Sequence, residues 1–338
     1  MQQSNSLQLA GVYSIVSCSR FTQKESSIIK GDNYASLVKS SYSDIGSGKQ
    51  WLAAPDGSLF VLSAYNPALQ QVNLNTGTVL GKVSYSGSFG MKMSTKKDVL
   101  VGTNCTSAFQ LWVADYSSTL NKMTTYSSGV TNYGTYANAE EVQPGKWLFY
   151  CKASSGTYKF SLFDVTQRRF IPLTLPSAMS NKGYSLASDL NGSAYATNNA
   201  DSVFKINVLD TAKIVISSMG VIPNLKSLRY VKPGQFLAVQ KNAISLYSQD
   251  LQLTGQKTFD DDIDAVSFNN SICAITFKGT KTTYQRIEIW DLNSLTCKKV
   301  IPSVFNEIAP IVLTDGTVVL YATYVQNYSS YTSFFIVK

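Results

Sequence analysis

One unit recurs along this chain, and it limits the architecture before any single residue is given a role. It is clearest between residues 50 and 83. There a short segment leads into the turn Pro55-Asp56-Gly57, and the strongly apolar run Leu59-Phe60-Val61-Leu62 follows. A polar stretch over residues 63–68 precedes a third segment at 69–74, and the turn Asn75-Thr76-Gly77 leads into a fourth at 79–83. Short β-branched and aromatic runs bounded by Gly, Pro, Asn and Asp read as strands joined by hairpin turns. The same order can be laid over the rest of the chain. Second segments fall at 12–16, 59–62, 99–101, 147–150, 194–196, 236–239, 272–275 and 318–321, and third segments include 111–115, 160–164, 204–208, 244–247 and 287–291. The turn before each second segment lies at Gly11, Gly57, Asp98, Gly145, Gly192, Gly234, Asn270 and Gly316. Successive spacings run from 36 residues (Gly234 to Asn270) to 47 (Asp98 to Gly145).

A four-stranded unit of about 40–45 residues, repeated without a break in composition, predicts an all-β chain folded as a β-propeller. The physical reason lies in burial. One meander covers a single face, whereas blades stacked beside each other cover both faces of every second strand. A β-sandwich explains period-2 strands but does not need eight similar units. The sequence therefore predicts one domain over residues 1–338 built of four-stranded antiparallel blades. Eight are favoured, with approximate bounds 1–42, 43–87, 88–129, 130–178, 179–222, 223–261, 262–304 and 305–338, and seven is the alternative. The last unit has no room for a fourth strand, so the chain start is expected to complete it, with residues 1–9 as the segment.

Two stretches carry a family likeness. Ile287-Glu288-Ile289-Trp290-Asp291-Leu292-Asn293-Ser294 resembles the third-strand ending of a WD40 repeat. Val72-Asn73-Leu74-Asn75-Thr76-Gly77-Thr78-Val79 is similar to the corresponding turn of YVTN-type and quinoprotein-like repeats. The resemblance implies a divergent propeller and no particular activity, because one fold hosts many functions. The Gly-His dipeptide of WD40 repeats is absent.

Its absence follows from composition, because the chain contains no histidine. That excludes the usual general base near neutral pH, the Ser/His/Asp and Cys/His nucleophilic sites, and imidazole metal ligands. Only 15% of residues are charged, and Ser, Thr, Asn, Gln and Tyr supply the remaining polarity. The net charge of +8 is mostly lysine. Arginine occurs only at positions 20, 168, 169, 229 and 286, and no basic run of nucleic-acid type appears, so nucleic acid is not an expected partner. Cys18, Cys105, Cys151, Cys273 and Cys297 are widely spaced without a C-x-x-C pair, which speaks against structural zinc or a disulfide framework. The N-terminus lacks a basic n-region, and no apolar run reaches about 18 residues, so neither a signal peptide nor membrane insertion is expected. Cytoplasmic or virion-associated placement is favoured.

Candidate sites fall mainly in the loops between second and third strands and between successive units. These are rich in Tyr, Ser, Asn, Thr and Gly, the composition of binding loops in which tyrosine gives wide contact at low entropic cost. Tyr126, Tyr133, Tyr136, Tyr324, Tyr328 and Tyr331 are the expected aromatic anchors, and protein is the expected partner, with glycan as the alternative. Asp260, Asp262 and Asp264 share the alternation of a calcium loop but lack its glycine and distal glutamate, so they make only a weak metal candidate. Asp44, Glu140, Glu141, Asp189 and Asp264 lie near first-strand entrances, where the separated carboxylates of a propeller glycosidase could point inward, and nothing in their spacing distinguishes them from turn carboxylates. No catalytic residue is assigned, no cofactor is expected, and four Asn-x-Ser/Thr matches serve only to locate turns. A non-catalytic scaffold or structural subunit is the leading expectation. A receptor- or glycan-binding surface protein comes second, and a carboxylate glycosidase third.

Overall fold

The structure is a computed structural model that describes residues 34–38, 48–63, 68–74, 78–84, 90–105, 109–128, 137–152, 158–173, 184–198, 201–210, 214–278, 286–302, 308–326 and 329–337. All regular structure among these residues is β-strand. In chain order, β1 (Tyr34–Val38) is followed by β2 (Gly48–Ala53), β3 (Leu59–Ser63), β4 (Ala68–Val72) and β5 (Val79–Ser84). Next come β6 (Gly90–Met93), β7 (Val99–Cys105), β8 (Phe109–Tyr116) and β9 (Leu120–Ser127), then β10 (Ala137–Gln143), β11 (Lys146–Lys152), β12 (Tyr158–Asp164) and β13 (Arg169–Leu173). The set β14 (Tyr184–Ser188), β15 (Ser193–Asn198), β16 (Ser202–Asn207) and β17 (Val215–Val221) precedes β18 (Leu225–Lys232), β19 (Gln235–Gln240), β20 (Ala243–Ser248) and β21 (Leu253–Thr258). The chain ends with β22 (Ile263–Phe268), β23 (Ile272–Phe277), β24 (Arg286–Asp291), β25 (Thr296–Pro302), β26 (Ile308–Val312), β27 (Val318–Gln326) and β28 (Ser329–Val337).

These strands form seven four-stranded antiparallel sheets among the described residues, which corrects the expectation of eight. The reason is visible at the chain start. The only described strand of residues 1–42 is β1, and it pairs with β28 as the outer strand of the sheet β26–β27–β28, from Tyr34↔Val337 to Val38↔Phe334. An incomplete last sheet presents an open edge, and pairing β1 there satisfies that edge. The expected mixing of termini is present, but β1 supplies the strand; residues 1–9 lie outside the described residues.

The chain divides into two compact units, Met1–Lys82 with Phe259–Lys338, and Val83–Thr258. In the second unit the sheets β6–β9, β10–β13, β14–β17 and β18–β21 stack in sequence order, with β7 against β10, β10 against β14 and β15, and β14 and β15 against β18. The strand period explains how each sheet is held. Alternate residues of β11 point to opposite faces. Trp147 and Phe149 join a buried cluster with Val99, Val101, Leu111 and Val113 of the preceding sheet. Leu148 and Tyr150 join another with Leu186, Ala194, Ala196 and Ile206 of the following sheet. On β15, Tyr195 faces away from Ala194 and Ala196 and packs with Phe236 and Ala238, its ring centroid 4.5 Å from that of Phe236. In the first unit, Trp51, Leu59, Val61 and Val72 meet Ile311, Leu313 and Val319 in the same manner. Each fully buried aromatic contributes roughly 1.5–3 kcal/mol of transfer free energy.

Candidate functional site

Polar chemistry among the described residues concentrates at two kinds of place, and the first is the hairpin turns before the second strands. Asp56 accepts from the Ser58 amide (3.0 Å) and from Gln71 Nε2 (3.0 Å), so a buried glutamine on β4 is tied to a turn of its own sheet. Glu141 is buried and accepts from Thr95 N (2.6 Å) on the neighbouring sheet and Gly145 N (2.8 Å) on its own. Burial pushes its carboxyl above the usual range, against the lowering effect of those amides. Asp189 accepts from Asn191 N, Ser193 N and, across the seam to β18–β21, Gln249 Nε2 at 2.8 Å. Asn269 does the same with an amide: its Oδ1 takes Ser271 N and Ile272 N, and its Nδ2 donates to Leu313 O at 3.1 Å. Glu140 pairs with Lys92, and Asp264 lies 3.8 Å from Lys278 Nζ. Of the carboxylates weighed for glycoside chemistry, Asp44 lies outside the described residues. Each of the others holds a turn, a seam or a cation.

The acidic turn at 260–264 is arranged around cations of the protein itself. Asp261, between two of the three metal candidates, pairs with Arg286. Arg286 also donates to Glu288 (2.6 Å) and lies over the Phe277 ring at 4.1 Å. Burial draws its pKa down, and the bonds to Glu288 and Asp261 outweigh this and raise it. Glu288 in turn accepts from Trp290 Nε1 at 2.9 Å. Among the described residues, no three His, Cys, Asp or Glu side chains gather to hold a metal. The WD40-like segment thus has a local use: Glu288 joins a guanidinium to an indole, and Asp291 Oδ1 caps the following turn through Asn293 N and Ser294 N.

The second place is a ribbon. β26 pairs with β27 only as far as Ile308↔Ala322, and β1 pairs with β28 only as far as Val38↔Phe334. The hairpin β27–β28 continues through Thr323↔Thr332, Tyr324↔Tyr331, Val325↔Ser330 and Gln326↔Ser329. Four residue pairs therefore extend past the sheet with no further pairing among the described strands. Tyr324 and Tyr331 are expected in a loop. They are strand residues directly opposite one another, and only residues 327–328, including Tyr328, lie outside the description.

Tyr126 is the last residue but one of β9 and belongs to a seam: its ring centroid lies 5.0 Å from that of Phe163 on the next sheet. It is hydrogen-bonded to Arg168, which also bonds Asp115 at 2.6 Å. Tyr133 and Tyr136 lie outside the described residues. Of the six tyrosines, the structure brings together Tyr324 and Tyr331.

No protein-family model matches this chain, and no curated protein matches its sequence. Solved structures do match. The WD40 repeats of RRP9 superpose with a TM-score of 0.60 at 9% identity, covering 91% of this chain and 99% of that one. The Cps50 (Swd1) β-propeller domain of Myceliophteria thermophila gives 0.60 at 13% identity, covering 90% and 98%. Raptor of Chaetomium thermophilum gives 0.64 at 12% identity, covering 91% of this chain and 29% of its own. At such identities the likeness concerns fold alone. Together with the four-stranded sheets and their shared seams, it makes the chain a WD40-type β-propeller in fold.

Proposed function

We propose that this protein is a non-catalytic interaction module, a scaffold or structural subunit that binds a protein partner through its loop side and the β27–β28 ribbon. The observation that carries this reading is the ribbon itself. A two-stranded hairpin is at best marginally stable alone in water, and it gains stability by pairing or packing. Among the described residues these four pairs have no third strand beside them, and their outer backbone groups suit a partner. Tyr324 and Tyr331, opposite each other in register, are the proposed anchors. Tyr133, Tyr136 and Tyr328 are proposed to join them. Tyr126 already packs on Phe163 and serves the seam first.

The non-enzymatic part of the reading is supported by the lack of histidine and by the occupation of the described first-strand carboxylates with turn amides and cations. It fits the WD40-repeat propellers to which the fold is similar. The test is affinity purification of the tagged full chain from its native source. A stoichiometric protein partner is expected, and Tyr324→Ala/Tyr331→Ala is expected to reduce its recovery at least about tenfold, the loss of one good aromatic anchor. Undiminished recovery with the double variant would refute the ribbon, and turnover of aryl glycosides by the purified chain would refute the non-enzymatic reading.

A further inference from the structure

The net charge of +8 is not spread evenly along the chain. Residues 83–258 carry 17 Lys and Arg against nine Asp and Glu, and the remainder carries 12 of each, so the whole excess belongs to the four-sheet unit. Within that unit the carboxylates gather on one side. The turns between first and second strands, and between third and fourth, share that side, because hydrogen bonds join them or the strand ends beside them from sheet to sheet. Thr95 N donates to Glu141, Gly192 N to Val142 O at 2.7 Å, and Gln249 Nε2 to Asp189 at 2.8 Å. Seven of the nine carboxylates stand at these turns or at the strand ends that enter them, where Glu141, Asp164 and Asp189 accept turn amides. Cations in comparable number, Lys96, Lys146 and Arg169 among them, balance this turn side.

The opposite, loop side is unbalanced. Its connections and the strand ends that enter them hold Lys152, Lys159, Lys182, Lys226, Lys241 and Lys257 against a single carboxylate, Asp201. Lys182 lies outside the described residues. Asp201 is engaged within the protein: its two carboxylate oxygens accept Asn224 N at 2.7 Å and Leu225 N at 3.1 Å. Lys226 and Lys241 are both exposed and stand on adjacent backbone. Leu225, before Lys226, pairs with Gln240, and Lys241 N donates to Asn224 O at 3.1 Å. Lys257, exposed on β21, is the nearest of the six in sequence to the acidic turn at 260–264. From β18 to β21 the sheet spans three strand spacings, about 14 Å, which an extended segment of about five residues covers.

We propose that the partner bound on the loop side presents an acidic segment, rich in Asp and Glu and extended over about five residues, to Lys226, Lys241 and the other lysines of this side. This rests on the interaction-module reading above and names the chemistry of its partner. Six lysines facing one engaged carboxylate make a field of one sign, which attracts an acidic surface and repels a basic one. The kind of cation selects protein over nucleic acid. A guanidinium grips a phosphate through paired hydrogen bonds, whereas lysine is a point charge on a flexible stem. The three arginines of this unit all lie elsewhere: Arg168 and Arg169 where β12 turns into β13, and Arg229 in the middle of β18.

Fluorescence anisotropy of a labelled oligoglutamate peptide, titrated with the purified full chain at low ionic strength, tests this proposal. The chain should bind oligoglutamate and not oligoglutamine, and binding should weaken as sodium chloride screens the exposed charges. Lys226→Glu/Lys241→Glu should lower the affinity at least about tenfold. Lys96→Glu/Lys146→Glu, which removes the same charge from the turn side, should leave it at the parent value. All four positions are exposed, so the melting temperatures should match the parent. Absence of oligoglutamate binding, or an equal loss in both double variants, overturns the proposal. Tighter binding of an oligothymidine of equal length overturns it in favour of nucleic acid. Tyr324→Ala/Tyr331→Ala should bind the peptide as the parent does, so a failed affinity purification beside intact peptide binding counts against the interaction-module reading alone.

Discussion

At the residue scale, the buried polar groups make the sharpest predictions because each has named partners. Tyr195 is buried, and its hydroxyl donates to Gln249 O at 3.3 Å. Desolvation first, then the nearby Asp189 carboxylate, pushes its pKa from 10 to about 12. The unfolded phenol ionises before the folded one, so this site's contribution is intact below pH 10 and is lost as pH rises towards 12. Tyr195→Phe should therefore lose less stability than the parent across that window, measured by denaturant melts at stepped alkaline pH. Asp291 has the opposite sign. The Lys298 ammonium, 2.9 Å away, and the Asn293 and Ser294 amides lower its pKa from 3.8 to about 2. Its contribution is present above 3.8 and disappears as pH falls through 2. The gap in melting temperature between Asp291→Asn and the parent should accordingly close in acid. Gly192, at φ +91°, sits in a backbone region that L residues rarely adopt, and a Cβ there would meet Leu209 Cδ2 at 2.3 Å. The Leu209 side chain is exposed and can give way, leaving the backbone term, so Gly192→Ala should cost about 1–2 kcal/mol in chemical denaturation.

At the scale of the element, β11 explains why the second strands are apolar throughout. Trp147 and Phe149 serve one seam, and Leu148 and Tyr150 serve the next. Removing Phe149 leaves a void between two sheets that cannot collapse without moving both. Phe149→Ala should destabilise by about 3–5 kcal/mol in denaturant melts, against less than about 0.5 kcal/mol for an exposed outer-strand change such as Thr125→Ala. The sequence made this pattern legible because continuous apolar runs such as Trp147-Leu148-Phe149-Tyr150 leave no solvent face. The ribbon was not legible. Thr, Tyr, Gln, Asn and Ser suit both a polar loop and a solvated strand, and only the observed register through Gln326↔Ser329 separates the two. The seam role of Tyr126 was hidden for a related reason: nothing local to β9 reveals that Phe163 and Arg168, some forty residues later, stand beside it.

At the scale of the molecule, β1 closes the last sheet by pairing with β28 across more than 290 intervening positions, Val38↔Phe334 being the nearest pair. Prolines at Ser36 and Leu37 would remove an amide facing β28 whichever way the strand lies. That variant should melt at lower temperature and aggregate sooner than the parent, since the β28 edge would be open. The sequence by itself determined the four-strand grammar, the buried second strands, the turn positions and the exclusion of histidine chemistry, because these depend on local composition and period. Tertiary structure alone decided the number of sheets, the strand that completes the last one, the ribbon, and the seam partners of Glu141, Asp189 and Asn269. Those depend on which distant segments become neighbours, and strands of similar composition offer no local signal for choosing among them.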